Sequence, residues 1–207
     1  PSITAEEAPI LKPFIRLADV LGAFVGQVTE DPIKEIEILF DGATAGMNTK
    51  ALTSALLAGL IRNQVADVNM VSAPIMIKEK GIVLSEVKRD KTGVYDGYIK
   101  LTVTTDKQSR SVAGTVFSDG KPRFIQIKGI NMDADVGANM VYISNTDVPG
   151  MIGFMGTTLG DAGVNIANFH LGREKDGGDA IALLYVDGPV SNDVLARLTA
   201  NPAIRQA

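Results

Sequence analysis

The sequence predicts an α+β protein of two domains, an α+β domain with an antiparallel sheet followed by a ferredoxin-like βαββαβ domain. The chain has 207 residues, enough for one or two domains. Its hydrophobic content is 45% with only 5% aromatic residues, which predicts buried, mainly aliphatic cores. The pattern of helical and strand-like segments changes near residue 137. We therefore place the domains at residues 1–137 and 138–207.

The first domain opens with helical signals. Residues 4–7 (TAEE) form a capping box, and apolar residues then recur at helical spacing over residues 10–25. Alternation of apolar and acidic residues over 35–40 predicts a strand, which Asp41-Gly42 ends. A second helix is expected from about Asn48 to Ile61, with Asn48 or the following Thr as its cap.

The remainder of the first domain is mainly strand-like. A further helix is expected over 71–80 and is ended by Gly81. Apolar and β-branched runs predict strands over 82–87, 98–104, 111–117 and 124–127. The segment Ser118-Asp119-Gly120-Lys121 is typical of a hairpin turn between the last two strands. These strands predict the antiparallel sheet.

The second domain repeats a strand–helix–strand order twice. Strands are expected over 140–144, 164–172 and 180–186, with a last one beginning at 203–205. Pro149-Gly150 opens a helix that runs to about residue 161, since Pro is preorganised for the first helical turn. A helix over 191–198 has Ser191 as its cap. This order is the split βαββαβ arrangement.

Composition and motifs exclude several classes of function. The formal net charge of −4 gives no basic footprint for nucleic acid and no polybasic membrane anchor. The absence of Cys excludes disulfides and thiolate sites and suits a cytoplasmic protein, and no apolar run approaches the roughly 20 residues of a membrane span. The sequence has no dinucleotide fingerprint, Walker loop or hydrolase motif. We expect no catalytic residues and no metal, and we interpret the single His170 as structural.

One polar segment stands out in the second domain. A strand ends at Asn145-Thr146-Asp147, and the helix that opens at Pro149-Gly150 turns free N–H groups toward this loop, where they favour a carboxylate. Asp147 can hold an ammonium group, and the amide of Asn165, at the start of the next strand, can donate and accept. Together these groups match a free amino acid. Helix capping and turn chemistry are the alternative explanation for the same residues.

Two stretches resemble known families. Residues 145–153 and 159–166 resemble the ACT domain, a small-molecule sensor of amino-acid metabolism. Residues 68–74 with 79–82, and 113–116 with 123–127, resemble the intervening, "allosteric substrate-binding" domain of long-form D-3-phosphoglycerate dehydrogenases. The order of the two domains matches that family, and the resemblance covers essentially the whole chain.

The resemblance implies a regulatory role. Family members oxidise 3-phosphoglycerate with NAD in the first step of L-serine biosynthesis, and their catalytic domains lie N-terminal to this region. We therefore expect a regulatory and oligomerisation fragment that is inactive by itself and carries no cofactor. Its ACT domains are expected to pair and to bind L-serine, or another small amino acid. The residues that map onto the effector site are Asn145, Asp147 and Asn165, beside Pro149-Gly150.

Further expectations stay open. The resemblance implies an anion site for a phosphorylated metabolite in the first domain. Strand alternation places Lys121 and Arg123 on one face, suited to such a site. Their alternative role is to protect a solvated edge strand. At the level of function, the alternatives are a chain similar to the serine dehydratase small subunit, or a free-standing amino-acid sensor.

Overall fold

The computed structural model describes residues 2–91 and 93–207, and the chain divides into two compact units, one ending at Lys128 and the other running from Gly129 to Ala207. The predicted boundary at residue 137 lies further along the chain. The first unit contains helices α1 (Ala8–Val28), α2 (Thr49–Ile61) and α3 (Ser72–Glu79), with strands β1 (Ile33–Gly42), β2 (Val83–Arg89), β3 (Gly97–Thr105), β4 (Ser109–Val116) and β5 (Pro122–Ile127). A short 3-10 helix, Ala43–Gly46, connects β1 to α2.

The first sheet is mixed. Its strands follow the order β2-β1-β3-β4-β5. The next strand along the chain, β6 (Ile130–Asp135), belongs to the second unit. The β1–β3, β3–β4 and β4–β5 pairs are antiparallel, as predicted, with Ile38 opposite Leu101 in the first of them. The β1–β2 pair is parallel. The prediction of an antiparallel sheet is wrong for this pair, because the crossover through α2 and α3 is long enough to return the chain in the same direction.

Side-chain caps fix the start of the first helices. The two hydrogen bonds of the predicted capping box are present: Glu7 N–H donates to Thr4 Oγ1 at 3.2 Å, and Thr4 N–H donates to Glu7 Oε2 at 3.1 Å. They close the turn before α1, which begins at Ala8 with Glu7 as its N-cap. At α2, Asn48 Oδ1 accepts from Ala51 N–H at 3.3 Å, which confirms Asn48 as the cap. Every residue from Ala51 to Ile61 is buried. A helix that is apolar on all sides needs such cover, and α1 packs closely against it through glycines of both helices.

The second unit has the predicted βαββαβ order. After β6 come β7 (Met140–Thr146), α4 (Met151–Asp161), β8 (Ile166–Arg173), β9 (Asp179–Val186), α5 (Asn192–Thr199) and β10 (Ile204–Gln206). Their four-stranded antiparallel sheet has the order β10-β7-β9-β8, so β8 and β10 are its edge strands. Ser191 caps α5 by accepting from Val194 N–H at 3.4 Å. The predicted ferredoxin-like arrangement is confirmed.

An aliphatic core fixes α4 against this sheet. Val141 and Ile143 of β7, Met155 and Leu159 of α4, and Leu184 of β9 are among its buried members. Because α4 packs on β7 and β9, the loop that connects β7 to α4 is held at one end of the sheet. The polar segment singled out in the sequence lies in this loop.

The strand β6 was not predicted. Three of its six residues are Asn131, Asp133 and Asp135, types that are depleted in strands. Its burial alternates nevertheless, with Ile130 and Ala134 buried. Tyr185 Oη donates to the carbonyl oxygen of Asp135 at 2.6 Å, which fixes the end of β6 within the second unit.

Candidate functional site

A cavity of about 460 Å³ opens at the first turn of α4 in the second unit. This volume falls within the usual range of small-molecule sites. Its walls come from the end of β7, the loop into α4, and the last residues of β8. The lining residues are Asn145, Asp147, Val148, Pro149, Gly150, Met151, Ile152, Gly153, Met155, Leu171, Gly172, Arg173, Ala180 and Ile181. Four of the five residues predicted for the amino-acid site therefore lie around one cavity.

The helix start supplies hydrogen-bond donors to this cavity. Gly150 is the N-cap of α4, with φ +88°, a left-handed conformation that favours glycine. The first helical hydrogen bond runs from Phe154 N–H to the Gly150 carbonyl at 2.9 Å, so the amides of residues 151–153 precede the helical ladder. Pro149 lies before the N-cap, and its prediction as a residue of the first helical turn is wrong. The amides of this turn favour an anion.

Asp147 already holds a cation within the chain. Its Oδ2 lies 3.1 Å from Arg173 Nη1 and accepts from Gly177 N–H at 3.4 Å. Arg173 Nη2 also lies 3.0 Å from Asp176 Oδ1. The Arg173 side chain is 59% exposed and that of Asp147 is 28% exposed, so the ion pair contributes only about 0.2–1 kcal/mol. It can therefore exchange partners at low cost.

Arg173 was missed in the sequence analysis. It stands far from Asp147 in sequence, and only the strand register brings the two together. Thr146 of β7 is opposite Asp179, and Arg173 of β8 is opposite Ala180. Both strands therefore end beside the first residues of β9. The usable signal was the strand order, because two strands that flank a third in antiparallel pairs end on the same side.

The amide of Asn145 belongs to the buried part of the site. The residue is 4% exposed, and its Nδ2 donates to the Thr146 carbonyl at 2.8 Å. Its backbone lies between β9 and β10, opposite Ala180 and Ile204. This position holds Asn145 rigidly at the inner wall of the cavity.

Asn165 lies elsewhere. Its Nδ2 donates to Asp187 Oδ2 at 2.8 Å, and its carbonyl accepts from Asp187 N–H at 3.4 Å. β7 and β8 run in the same direction, and Asn165 precedes β8 whereas Asp147 follows β7. The two residues therefore occupy opposite ends of the sheet. A single copy does not bring them together, and a shared ligand would need two copies.

The candidate anion residues of the first unit have partners at the hairpin turn. Arg123 Nη2 lies 3.4 Å from Asp119 Oδ2, and its guanidinium carbon lies 4.8 Å from the centre of the Phe117 ring. Lys121 is exposed. Protection of a strand edge stays the alternative role of these residues. The anion site stays a prediction.

Other classes of site leave few traces. His170 lies with its ring 5.6 Å from that of Tyr185 in an edge-on arrangement typical of packing. Among residues 2–91 and 93–207, no group of three or more His, Cys, Asp or Glu side chains is placed to hold a metal ion. Within the same described residues, no helix combines the length and the apolar character needed to cross a membrane.

Comparison with known proteins identifies the family. The sequence pattern of the D-3-phosphoglycerate dehydrogenase intervening domain matches residues 10–128, more than half of the chain. The chain belongs to the D-3-phosphoglycerate dehydrogenase intervening-domain family. The match spans α1 to β5 and ends at the division between the two units.

Relatives extend the similarity beyond the intervening domain. D-3-phosphoglycerate dehydrogenase of Bacillus subtilis is 34% identical over 205 residues, which cover 99% of this chain and 39% of the relative. The proteins of the same name from Methanocaldococcus jannaschii and Synechocystis are 33% and 32% identical, over 99% and 100% of this chain. The chain thus spans about two fifths of the length of these relatives. Its similarity to them covers the second unit as well as the intervening domain.

Proposed function

We propose that this chain is the regulatory and self-association region of a D-3-phosphoglycerate dehydrogenase, and that its second unit is an ACT domain that binds L-serine. The observation that carries the proposal is the cavity at the start of α4, which Asp147 and the first residues of this helix line together. Similarity to D-3-phosphoglycerate dehydrogenases along 99% of the chain favours this function over a serine dehydratase-like subunit or a free-standing sensor.

A free amino acid fits the charges of the cavity. Its carboxylate would accept hydrogen bonds from the amides at the start of α4, where attraction to the helix dipole is worth roughly 0.3–1 kcal/mol. Its ammonium would pair with Asp147, a hydrogen bond to a charged group that contributes about 1.5–3 kcal/mol. The apolar walls, Met155 and Ile181 among them, leave room for a small side chain. L-serine or another small amino acid would satisfy these groups.

Self-association would complete the site. β8 is an edge strand, and Phe169 and Leu171 on its α4-facing side are 48% and 49% exposed. Together with Ile152 and Met155 they line an apolar groove of about 400 Å³. Antiparallel pairing of β8 with β8 of a second copy would cover this groove. Such pairing sets the start of one β8 beside the end of the other, so Asn165 of the second copy would approach the cavity of the first.

Pairing through β8 predicts at least a dimer. We expect Phe169→Lys to lower the mass of the assembly, because it places a charge in the middle of the pairing edge. The measurement is light scattering at micromolar concentration. Ile10→Lys, an equally drastic change of a side chain that is 66% exposed on α1, is the control and should leave the mass unchanged. A monomeric wild-type chain under these conditions would contradict the proposal.

L-serine binding itself is tested by thermal-shift titration of the wild-type chain. A ligand that binds only the folded state raises the melting temperature with concentration, as mass action requires. We expect a saturable rise with L-serine at millimolar concentration or below and no rise with D-serine, whose side chain points to a different wall. No shift with L-serine would mean that another amino acid is the effector or that the ACT pair serves assembly alone.

Catalysis is assigned to segments outside this chain. NAD is the cofactor of the proposed parent enzyme, and the sequence carries no dinucleotide fingerprint that would hold it. We therefore expect no saturable NAD signal in calorimetry and no turnover of 3-phosphoglycerate by the chain alone. Measurable turnover of the purified chain would overturn its assignment as a regulatory region.

A further inference from the structure

The Asp147–Arg173 ion pair has a geometry that the amino-acid site described above does not use. Both residues line the cavity, and Asp147 Oδ2 lies 3.1 Å from Arg173 Nη1. An amino acid carries a positive and a negative charge on one carbon atom. The ion pair presents a negative and a positive charge side by side, which is the complement of that arrangement.

Resting on the proposed amino-acid site, we infer that Arg173 is a specificity-determining residue that recognises the α-carboxylate of the ligand by partner exchange. When the ligand ammonium takes Asp147, the Arg173 guanidinium loses a carboxylate. The α-carboxylate then replaces it, so neither side chain is left with an unpaired charge. A guanidinium is suited to this exchange because its planar fork matches a carboxylate with two hydrogen bonds.

The surroundings of Arg173 favour such an exchange. It is the last residue of β8, so its backbone is fixed by the sheet while its side chain is 59% exposed and able to turn. Asp176 Oδ1 lies 3.0 Å from the other nitrogen, but its side chain is 90% exposed, so this second ion pair contributes little and does not restrain the guanidinium. The helix amides and Arg173 do not compete, because a carboxylate can accept several hydrogen bonds at once.

The same contacts tie the β8–β9 turn to the ligand. Asp147 N–H donates to the Gly178 carbonyl at 2.9 Å, and Gly177 N–H donates to Asp147 Oδ2 at 3.4 Å. A ligand ammonium that takes the Asp147 carboxylate would share it with the Gly177 N–H, whereas the backbone hydrogen bond to Gly178 does not involve the carboxylate. Occupancy of the cavity would therefore act on one contact of the β8–β9 turn through Asp147.

The test is calorimetry on the full chain with two probes, L-serine and L-serinamide, which keeps the ammonium and lacks the carboxylate. We expect Arg173→Gln to weaken L-serine binding about tenfold or more and to leave any L-serinamide binding nearly unchanged. Arg173→Lys keeps the charge without the fork and should lie between wild type and Arg173→Gln. Arg205→Gln is the matched control: Arg205 pairs with Asp179 at 2.9 Å on the same sheet, lies outside the cavity lining, and should bind L-serine as wild type does.

The outcomes separate the two proposals. If the wild-type chain binds no L-serine, the proposed function fails, and the role of Arg173 fails with it. If the wild type binds L-serine and Arg173→Gln binds it equally well, the proposed function stands and the inference is wrong. Tighter binding by Arg173→Gln would also overturn it, since Arg173 would then only compete with the ligand for Asp147. Circular dichroism of each variant checks that the second unit is folded.

Discussion

Gly22→Ala should destabilise the first unit by about 1–3 kcal/mol or more, although the same change usually stabilises a helix. A Cβ atom at Gly22 of α1 would overlap the carbonyl oxygen of Leu56 in α2. The obstacle is backbone, which cannot rotate away as a flexible side chain can. The two helices would have to separate, and α2, which is buried along its length, would lose packing on one side.

Urea unfolding followed by circular dichroism at the helical band measures this effect, because α1 and α2 are the two longest helices of the described chain. The matched control is Gly160→Ala in α4, where a Cβ atom meets nothing within 4 Å. There the ordinary helix preference applies, and we expect a gain of about 0.5–1 kcal/mol in the free energy of unfolding. An unchanged midpoint for Gly22→Ala would show that the helices separate without cost.

The parts of the fold that local chemistry determines were predicted from the sequence. The caps at Asn48 and Ser191 and the hairpin turn around Gly120 depend on neighbouring residues alone, and the structure confirms them. The parallel β1–β2 pair depends on where a long crossover returns, and alternation along each strand carries no such information. β6 was missed because its polar residues hide the alternation of its buried ones.

The candidate site, likewise, could be predicted only where it depends on residues that are close in sequence. Asp147 and the start of α4 are close in sequence, so the loop could be recognised as a place for a zwitterion. Arg173 reaches Asp147 only through the register of β7, β9 and β8, which no local pattern encodes. Asn165 was placed with these residues by the chemistry of its amide at the start of the next strand and by resemblance, but the strand directions put it at the other end of the sheet. Its role therefore depends on a second copy of the chain.

Asp147→Ala should remove most of the L-serine binding. The substitution leaves the ligand ammonium without a carboxylate in a partly desolvated cavity, and it frees Arg173 to hold only the α-carboxylate. A hydrogen bond to a charged group is worth about 1.5–3 kcal/mol, so affinity should fall roughly 10- to 150-fold. The fold should persist, because Asp147 lies in a loop and its ion pair with Arg173 is open to solvent. Thermal-shift titration with L-serine measures both quantities, from the dependence of melting temperature on concentration and from its value without ligand.

Asp176→Ala is the matched control for this prediction. It removes the other carboxylate that holds Arg173, at a side chain that is 90% exposed and outside the cavity lining, and should leave binding nearly unchanged. Asn165→Ala should weaken binding less than Asp147→Ala, because water can replace an amide at an interface between copies. If Asp147→Ala responds to L-serine as strongly as wild type, the ammonium is held elsewhere and the site at the start of α4 is wrong. If Asp176→Ala loses binding to the same extent, the carboxylates act by fixing the β8–β9 turn, and direct pairing of Asp147 with the ligand is excluded as the cause.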